Sequence, residues 1–536
     1  MKKIAVFLMV WTVACSLWAV PARRNGVTRQ QPDGSTITVY THSDEYFRWL
    51  TNEKGEWIED GTDGFFRIIP AMTNEEIATI RVNHPRRIST KKFAPSPLNI
   101  APKGLVILVN FKDLSFKTPS EEMDSMHNGA NYTRKYEYQH RNQTFSIESQ
   151  GSVKQYFRET SFGAYDPIFD VVGPVTVGQN MSYYGKNEGN FDNAPWEMIK
   201  EACQLVNNQY DIDFTKYDND KDGYVDFVYV IYAGYGEADG APANTIWPHS
   251  YTLIDAGVTC KVDGVTVNLY ACGNELDYYS KFHTGIGTFC HEFSHVLGLP
   301  DLYVTNTAGH TTLNEWDIMD YGTYNNDSNT PPTYSAYERF FMGWLTPRLI
   351  TNPENVVLKD LNKTNEALLI TTTDEHNMIG NDPSPTTFYL LENRQQEGWD
   401  TYLAGHGLML TKIQYSYQKW GQNTVNNTER KMGVDLIEAD GQTSDRGKAT
   451  DLFPAGATEY TTIENHQITD ITETNGVIRF KYKGGNEETA IESIYCTAPI
   501  IAIYNSLGQK QSTILEELTT GTYIVVTSEG NYKIVR

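Results

Sequence analysis

The chain has 536 residues, 40% of them hydrophobic and 21% charged, with a formal net charge of −23 and an isoelectric point near 4.9. A chain of this length needs several cores. So acidic a surface excludes nucleic acid and anionic membrane as partners, because neither offers it positive charge, and it suits an extracellular protein that binds cations.

Residues 1–22 read as a secretory signal: Lys2 and Lys3, an apolar run, then Val20 and Ala22 at positions a signal peptidase reads. The run is short for a membrane span, Arg23 and Arg24 follow it at once, and no later stretch approaches about 18 apolar residues, so no transmembrane span is expected. Removing the signal takes Cys15 and leaves Cys203, Cys260, Cys272, Cys290 and Cys496, an odd set with at least one free thiol. Residues 23–100 begin with strand-like runs punctuated by Pro-Asp-Gly, Glu-Lys-Gly and Thr-Asp-Gly turns, a small β-rich unit. A basic stretch at 81–97 then exposes Arg86, Arg87, Lys91 and Lys92 to trypsin-like cleavage.

The near-continuous apolar run at 104–113 predicts a buried strand that opens a domain over 101–345. Helices follow around Val153, Tyr156 and Phe157, and around Trp196, Ile199, Cys203 and Val206, the second with Pro195 in its first turn. Asp218, Asp220, Asp222 and Asp226 occupy positions 1, 3, 5 and 9 of a calcium-type loop with Gly223 at the sharp turn. Position twelve holds Tyr229 in place of a bidentate acid and the sequence continues as a strand, so the expectation is a Ca2+-tied loop feeding a central strand, not an EF-hand. A tight turn at Asp263-Gly264 opposes Cys260 to Val267, so a Cys260 to Cys272 bridge would need a wider loop. His249 and His283 stand alone and read as structural.

The densest signal is His-Glu-Phe-Ser-His at 291–295. Histidines four apart on a helix project from one face, one turn apart, as two ligands of one ion must. Glu292 is rotated by roughly 100° from them, which suits a base acting on metal-bound water better than a third ligand. Gly298 ends the helix and lets the chain swing back to bring Asp301 under the histidines, and Pro300 keeps the helix from resuming. A bare HExxH also arises on helices whose histidines face solvent, and it is the extended pattern that separates the two cases.

Histidines at the first and fifth positions, a helix-ending glycine and a ligand at the eleventh resemble the metzincin zinc peptidases, which more often carry His where Asp301 stands. Trp-Asp-Ile-Met-Asp-Tyr-Gly follows at 316–322, and the resemblance implies Met319 as the Met-turn beneath the metal and Tyr321 as a tyrosine that contacts zinc or steadies the oxyanion. With Asp as third ligand, the stretch from His291 to Tyr303 is similar to the immune inhibitor A family of secreted metallopeptidases, and that family implies a pro-segment over 23–100, with a permanently attached β-rich domain as the alternative. This segment lacks cysteine, so thiol latency is excluded, while a carboxylate, His84 or plain occlusion stays open. Glu315, twenty residues after His295, has the spacing of a thermolysin-like third ligand. The stretch between them is broken by Gly298, Pro300 and Gly309 and filled with Thr and Asn, so the helix that reading needs is disfavoured and Asp301 is preferred.

An aromatic-rich helix within 331–345 closes this domain, and short alternating runs over 346–483 predict a β-sandwich-like domain. A linker at 484–489 leads to residues 490–536, which resemble the C-terminal sorting domain of type IX secretion cargo through Ile503-Tyr-Asn-Ser-Leu-Gly-Gln509 and the terminal Lys-Ile-Val-Arg. The expected fold is thus α+β, a metzincin-like catalytic domain between β-rich units. The expected protein is a secreted zinc endopeptidase acting on proteins or peptides, exported through the periplasm of a Gram-negative bacterium by outer-membrane secretion machinery. Two rivals stand beside it: a surface adhesin with a non-catalytic metal fold, and a thermolysin-like hydrolase using Glu315.

Overall fold

An uninterrupted Leu-Val-Ile-Leu-Val run can be hidden only by a strand covered on both faces, and Leu105 to Val109 are completely buried. The computed structural model describes residues 18–77, 102–485 and 500–535, apart from breaks at 25, 44–47, 62, 74, 141–142, 189–190, 307–308, 506, 514–517, 519–520 and 528–529. The basic stretch at 81–97, His84 and Cys496 therefore lie outside the described residues.

Lys103–Asn110 sits inside a six-stranded sheet whose order is Trp18–Ala19, His249–Thr252, Leu269–Leu276, Val228–Tyr235, Lys103–Asn110 and Ile168–Thr176. The four strands from Leu269–Leu276 to Ile168–Thr176 run parallel, with Val230 opposite both Ile107 and Cys272. His249–Thr252 pairs antiparallel with Leu269–Leu276, and Trp18–Ala19 pairs antiparallel with it in turn. One face is covered by the helix Pro195–Tyr210, which starts on its proline and buries Met198, Ile199, Ala202, Cys203 and Val206. The other face is covered by Val153–Thr160, capped by the Ser152 side chain, and by the helix Gly287–Val296 that carries the histidines. Aromatic rings lock this site helix to the sheet: Phe289 stacks on Tyr229 with centroids 4.1 Å apart, and Phe293 meets Phe227 edge-on at 4.5 Å.

The aspartate loop feeds the short strand Tyr224–Val225 and then Val228–Tyr235, with no helix between. Cys260 pairs with Val267, the register the Asp263-Gly264 turn implies, and Cys203, Cys260, Cys272 and Cys290 are all free thiols. The aromatic stretch after residue 332 gives a shorter helix than its length suggests, Ala336–Phe341, started by a Ser335 and Glu338 capping box.

Residues 27–68 form a five-stranded meander in chain order. It is tied to residues 102–345 by the half-buried Arg48, which pairs with Asp192 at 3.0 Å and with Glu237, and by Arg29, which donates to the Tyr278 hydroxyl at 2.8 Å. Over 346–483 a five-stranded and a three-stranded sheet share one cluster that includes Ile350, Leu358, Leu391, Leu410, Ile478 and Phe480. Ile500–Asn505, Thr522–Thr527 and Gly530–Val535 form a three-stranded antiparallel sheet at the end of the chain. The fold is α+β, with strands greatly outnumbering helices among the described residues. No helix among these residues is long and apolar enough to cross a membrane.

Candidate active site

The site helix ends as its sequence requires. Gly298 adopts φ +107°, a region side-chain-bearing residues avoid, and the Gly298 and Leu299 amides close back onto His295 and Ser294 carbonyls. The chain then doubles under the helix and places Asp301 against both histidines, with Asp301 Oδ1 lying 3.2 Å from His291 Nε2 and 3.2 Å from His295 Nε2. The two Nε2 atoms face each other at 3.1 Å, and all three side chains are buried.

The tautomers follow from the partners. His291 Nδ1 lies 2.8 Å from the Ile318 carbonyl and His295 Nδ1 lies 2.8 Å from the Leu299 carbonyl. A carbonyl can only accept, so each Nδ1 carries the proton and each Nε2 turns a lone pair inward. Burial pushes the His295 pKa down to about 4, which keeps that ring uncharged at neutral pH. Asp301 Oδ1 has no hydrogen-bond donor among the described residues. Two lone pairs and a carboxylate oxygen thus converge on one point with no proton between them, an arrangement that repels itself unless a cation sits there. Imidazole and carboxylate donors in this number are those of a zinc site that leaves one position for water.

Glu292 is fully buried beside this cluster. Its pKa is raised well above the usual carboxylate range, first by burial and then by the charge of Asp301. One oxygen accepts the Val20 amide at 2.8 Å and the other has no partner among the described residues. Met319 is buried in the turn after the helix, its carbonyl accepting from Leu302, and the neighbouring Ile318 supplies the acceptor for His291.

Glu315 lies apart from the histidines: its side chain is 41% exposed and pairs with Arg24 at 3.7 Å. The Tyr321 ring is covered by the Arg24 guanidinium, which lies 3.6 Å from its centre. Tyr324, three residues on in the same 3-10 turn, donates its hydroxyl to the Pro21 carbonyl at 2.6 Å, next to the Val20 amide that meets Glu292. Only the presence of a second tyrosine in that turn could have signalled it.

A more distant residue was invisible in sequence. Asn423 follows the short helix Tyr417–Gly421 of the β-domain and holds Asp301 with both ends of its amide. Its oxygen accepts the Asp301 backbone amide at 2.8 Å, and its nitrogen donates to Asp301 Oδ2. Asn426 and Asn427 of the same loop bond to Leu302 and Thr305, so one β-domain turn carries the whole return of the chain beneath the site.

In the calcium-type loop, Asp218, Asp220 and Asp222 bring carboxylate oxygens within 4.8 Å of one another. Asp226 is not in that group and accepts from the backbone and side-chain amides of Asn219. His249 is held by the Trp247 carbonyl and the Tyr270 hydroxyl, and His283 by Glu122 and the Thr284 carbonyl.

Residues 98–345 match the model of the immune inhibitor A peptidase M6 catalytic domain. The chain is 26% identical over 420 residues to immune inhibitor A of Bacillus thuringiensis subsp. alesti, covering 72% of this chain and 58% of that one. It is also 26% identical over 276 residues to the pre-pro-metalloprotease PrtV of Vibrio cholerae serotype O1, covering 45% of this chain and 29% of the relative. The chain therefore spans less than two thirds of either relative's length. The histidine and aspartate cluster lies inside the segment that is similar to the immune inhibitor A peptidase M6 catalytic domain.

Proposed function

We propose that the protein is a secreted zinc endopeptidase that hydrolyses peptide bonds of extracellular proteins, with His291, His295 and Asp301 as metal ligands and Glu292 as general base. The observation that carries this reading is the convergence of three unprotonated acceptors beside a buried carboxylate with one free oxygen. A zinc ion held there would act as a Lewis acid and lower the pKa of a coordinated water. Glu292 then takes the proton of the attacking water and passes it to the departing amine nitrogen. Its burial favours this role, since a carboxylate with a raised pKa is a stronger base. Tyr324, whose hydroxyl already grips a peptide carbonyl, is better placed than Tyr321 to bind the carbonyl oxygen as charge develops.

Residues 1–22 would direct export, and 490–536 would serve as a sorting domain read by outer-membrane secretion machinery. Before residues 1–22 are removed, Val20 and Pro21 lie against Glu292 and Tyr324, which supports occlusion over a side-chain ligand in the unprocessed chain. Asp218, Asp220 and Asp222 would hold a calcium ion that steadies the loop feeding the central strand. The reading is tested by elemental analysis and casein digestion with the form recovered from culture medium. One zinc per chain is expected, with digestion lost and zinc kept in Glu292→Gln. Undiminished digestion by that variant would remove Glu292 from the chemistry.

A further inference from the structure

The short strand Trp18–Ala19 extends the sheet along its His249–Thr252 edge, the Val20 amide meets Glu292, and the Pro21 carbonyl meets Tyr324. An extended peptide added to a sheet edge and laid across the base is how a substrate would sit. Arg23 is three residues beyond Val20, and its guanidinium enters a closed pocket. Nε lies 3.2 Å from Asp239, and the two terminal nitrogens lie 2.9 Å from Asp277 and 2.9 Å from Asp327, while the Tyr279 and Tyr324 rings flank the group at 5.5 and 5.0 Å. The Arg23 amide donates to the Ala238 carbonyl at 3.1 Å, so backbone and side chain are both received. The three carboxylates come from three separate segments of the catalytic domain. They surround one cation, and a vacated pocket of this kind, three carboxyl groups held out of water, demands another cation.

Resting on the peptidase reading above, we infer that Asp239, Asp277 and Asp327 form a substrate subsite for an arginine or lysine side chain two to four residues from the cleaved bond, and that Arg23 fills it as a substrate mimic. Arg23, which stays on the chain when residues 1–22 are removed, and the substrate then compete for one pocket, and preferred substrates carry a basic residue at one fixed distance from the cut.

The test uses the full chain with Arg23→Ala, and in parallel Arg23→Gln, which keeps the side-chain length in case the smaller residue unsettles the fold. The probes are acetyl-arginine amide and acetyl-citrulline amide, alike in shape but not in charge. The arginine probe should bind both variants at least about tenfold more tightly than the citrulline probe, as expected for a desolvated charge pair. It should leave the wild-type chain unaffected, and adding Asp277→Asn or Asp327→Asn should abolish the discrimination. A peptide-library digest by the same variants should show Arg and Lys enriched at a single position. Equal binding of the two probes, or discrimination that survives both aspartate substitutions, would overturn the subsite. Discrimination without cleavage of any peptide would keep the subsite and remove the hydrolase reading, whereas cleavage without discrimination would do the reverse.

Discussion

Asp301 has one oxygen for the histidines and gives the other to Asn423, so its aim depends on an amide 122 residues away. Partners of this kind typically contribute about 10- to 100-fold in metal affinity. Asn423→Ala should therefore weaken zinc binding by about that factor, read by competition with a fluorescent chelator. Asn423 itself has φ +51°, so Asn423→Gly, which has no such strain, should lose zinc to the same degree. If the glycine variant binds zinc normally, the amide is only a turn former. Of the residues proposed for the site, His291, Glu292 and His295 were legible because helix geometry fixes residues a few positions apart, and Asp301 because the Gly298 turn brings the chain back. Asn423 and Tyr324 were not, because long-range packing chooses them. His249 yields a prediction about acid. Burial holds its pKa at about 4 against an ordinary 6.5, so between those values the unfolded chain binds a proton that the folded chain refuses. The stability this group contributes is complete above pH 6.5 and is lost as pH falls toward 4, by about 3 kcal/mol in all. His249→Gln should accordingly show a shallower fall in melting temperature between pH 6.5 and 4, and an unchanged slope would mean that the ring is already charged in the fold.

The turn that ends the site helix is the element on which the ligand set depends. Gly298 has open space around it, so only its φ of +107° constrains the residue there. Gly298→Ala should therefore cost about 1 to 2 kcal/mol of stability without any steric clash. Because relieving that strain pulls Asp301 away, it should also lower zinc content while Glu315→Ala leaves zinc unchanged. Loss of zinc in the second variant and not the first would restore the thermolysin-like ligand set. Elements with a strong local pattern were readable in advance: the buried run at 104–113, the proline-started helix and the Asp263-Gly264 hairpin. The site helix was readable too, because its apolar face and its histidines obey the same period. The aromatic helix before residue 345 was overread, since its rings serve tertiary packing and only six residues keep helical geometry. Counting loop positions could not reveal that Asn219 donates to the Asp226 carboxylate, a contact that only the folded loop brings about.

For the whole molecule, the C-terminal sheet carries none of the cleft residues, so address and chemistry should separate. Deleting residues from about 490 onward should leave peptidase activity intact and trap the protein in the periplasm, measured by fractionation and casein digestion. Normal export of the shortened chain would remove the sorting role. The β-domain is different. The match to the peptidase family stops at residue 345, yet the turn at 423–427 reaches back beneath the third ligand. The catalytic segment is consequently not an interchangeable part. If recombination between relatives joined it to a foreign β-domain, the proposed ligands would all be inherited and metal binding still weakened unless the incoming turn carried an amide at the same place. The two halves are bound to evolve as one unit, with changes in that distant turn tracking changes at residue 301.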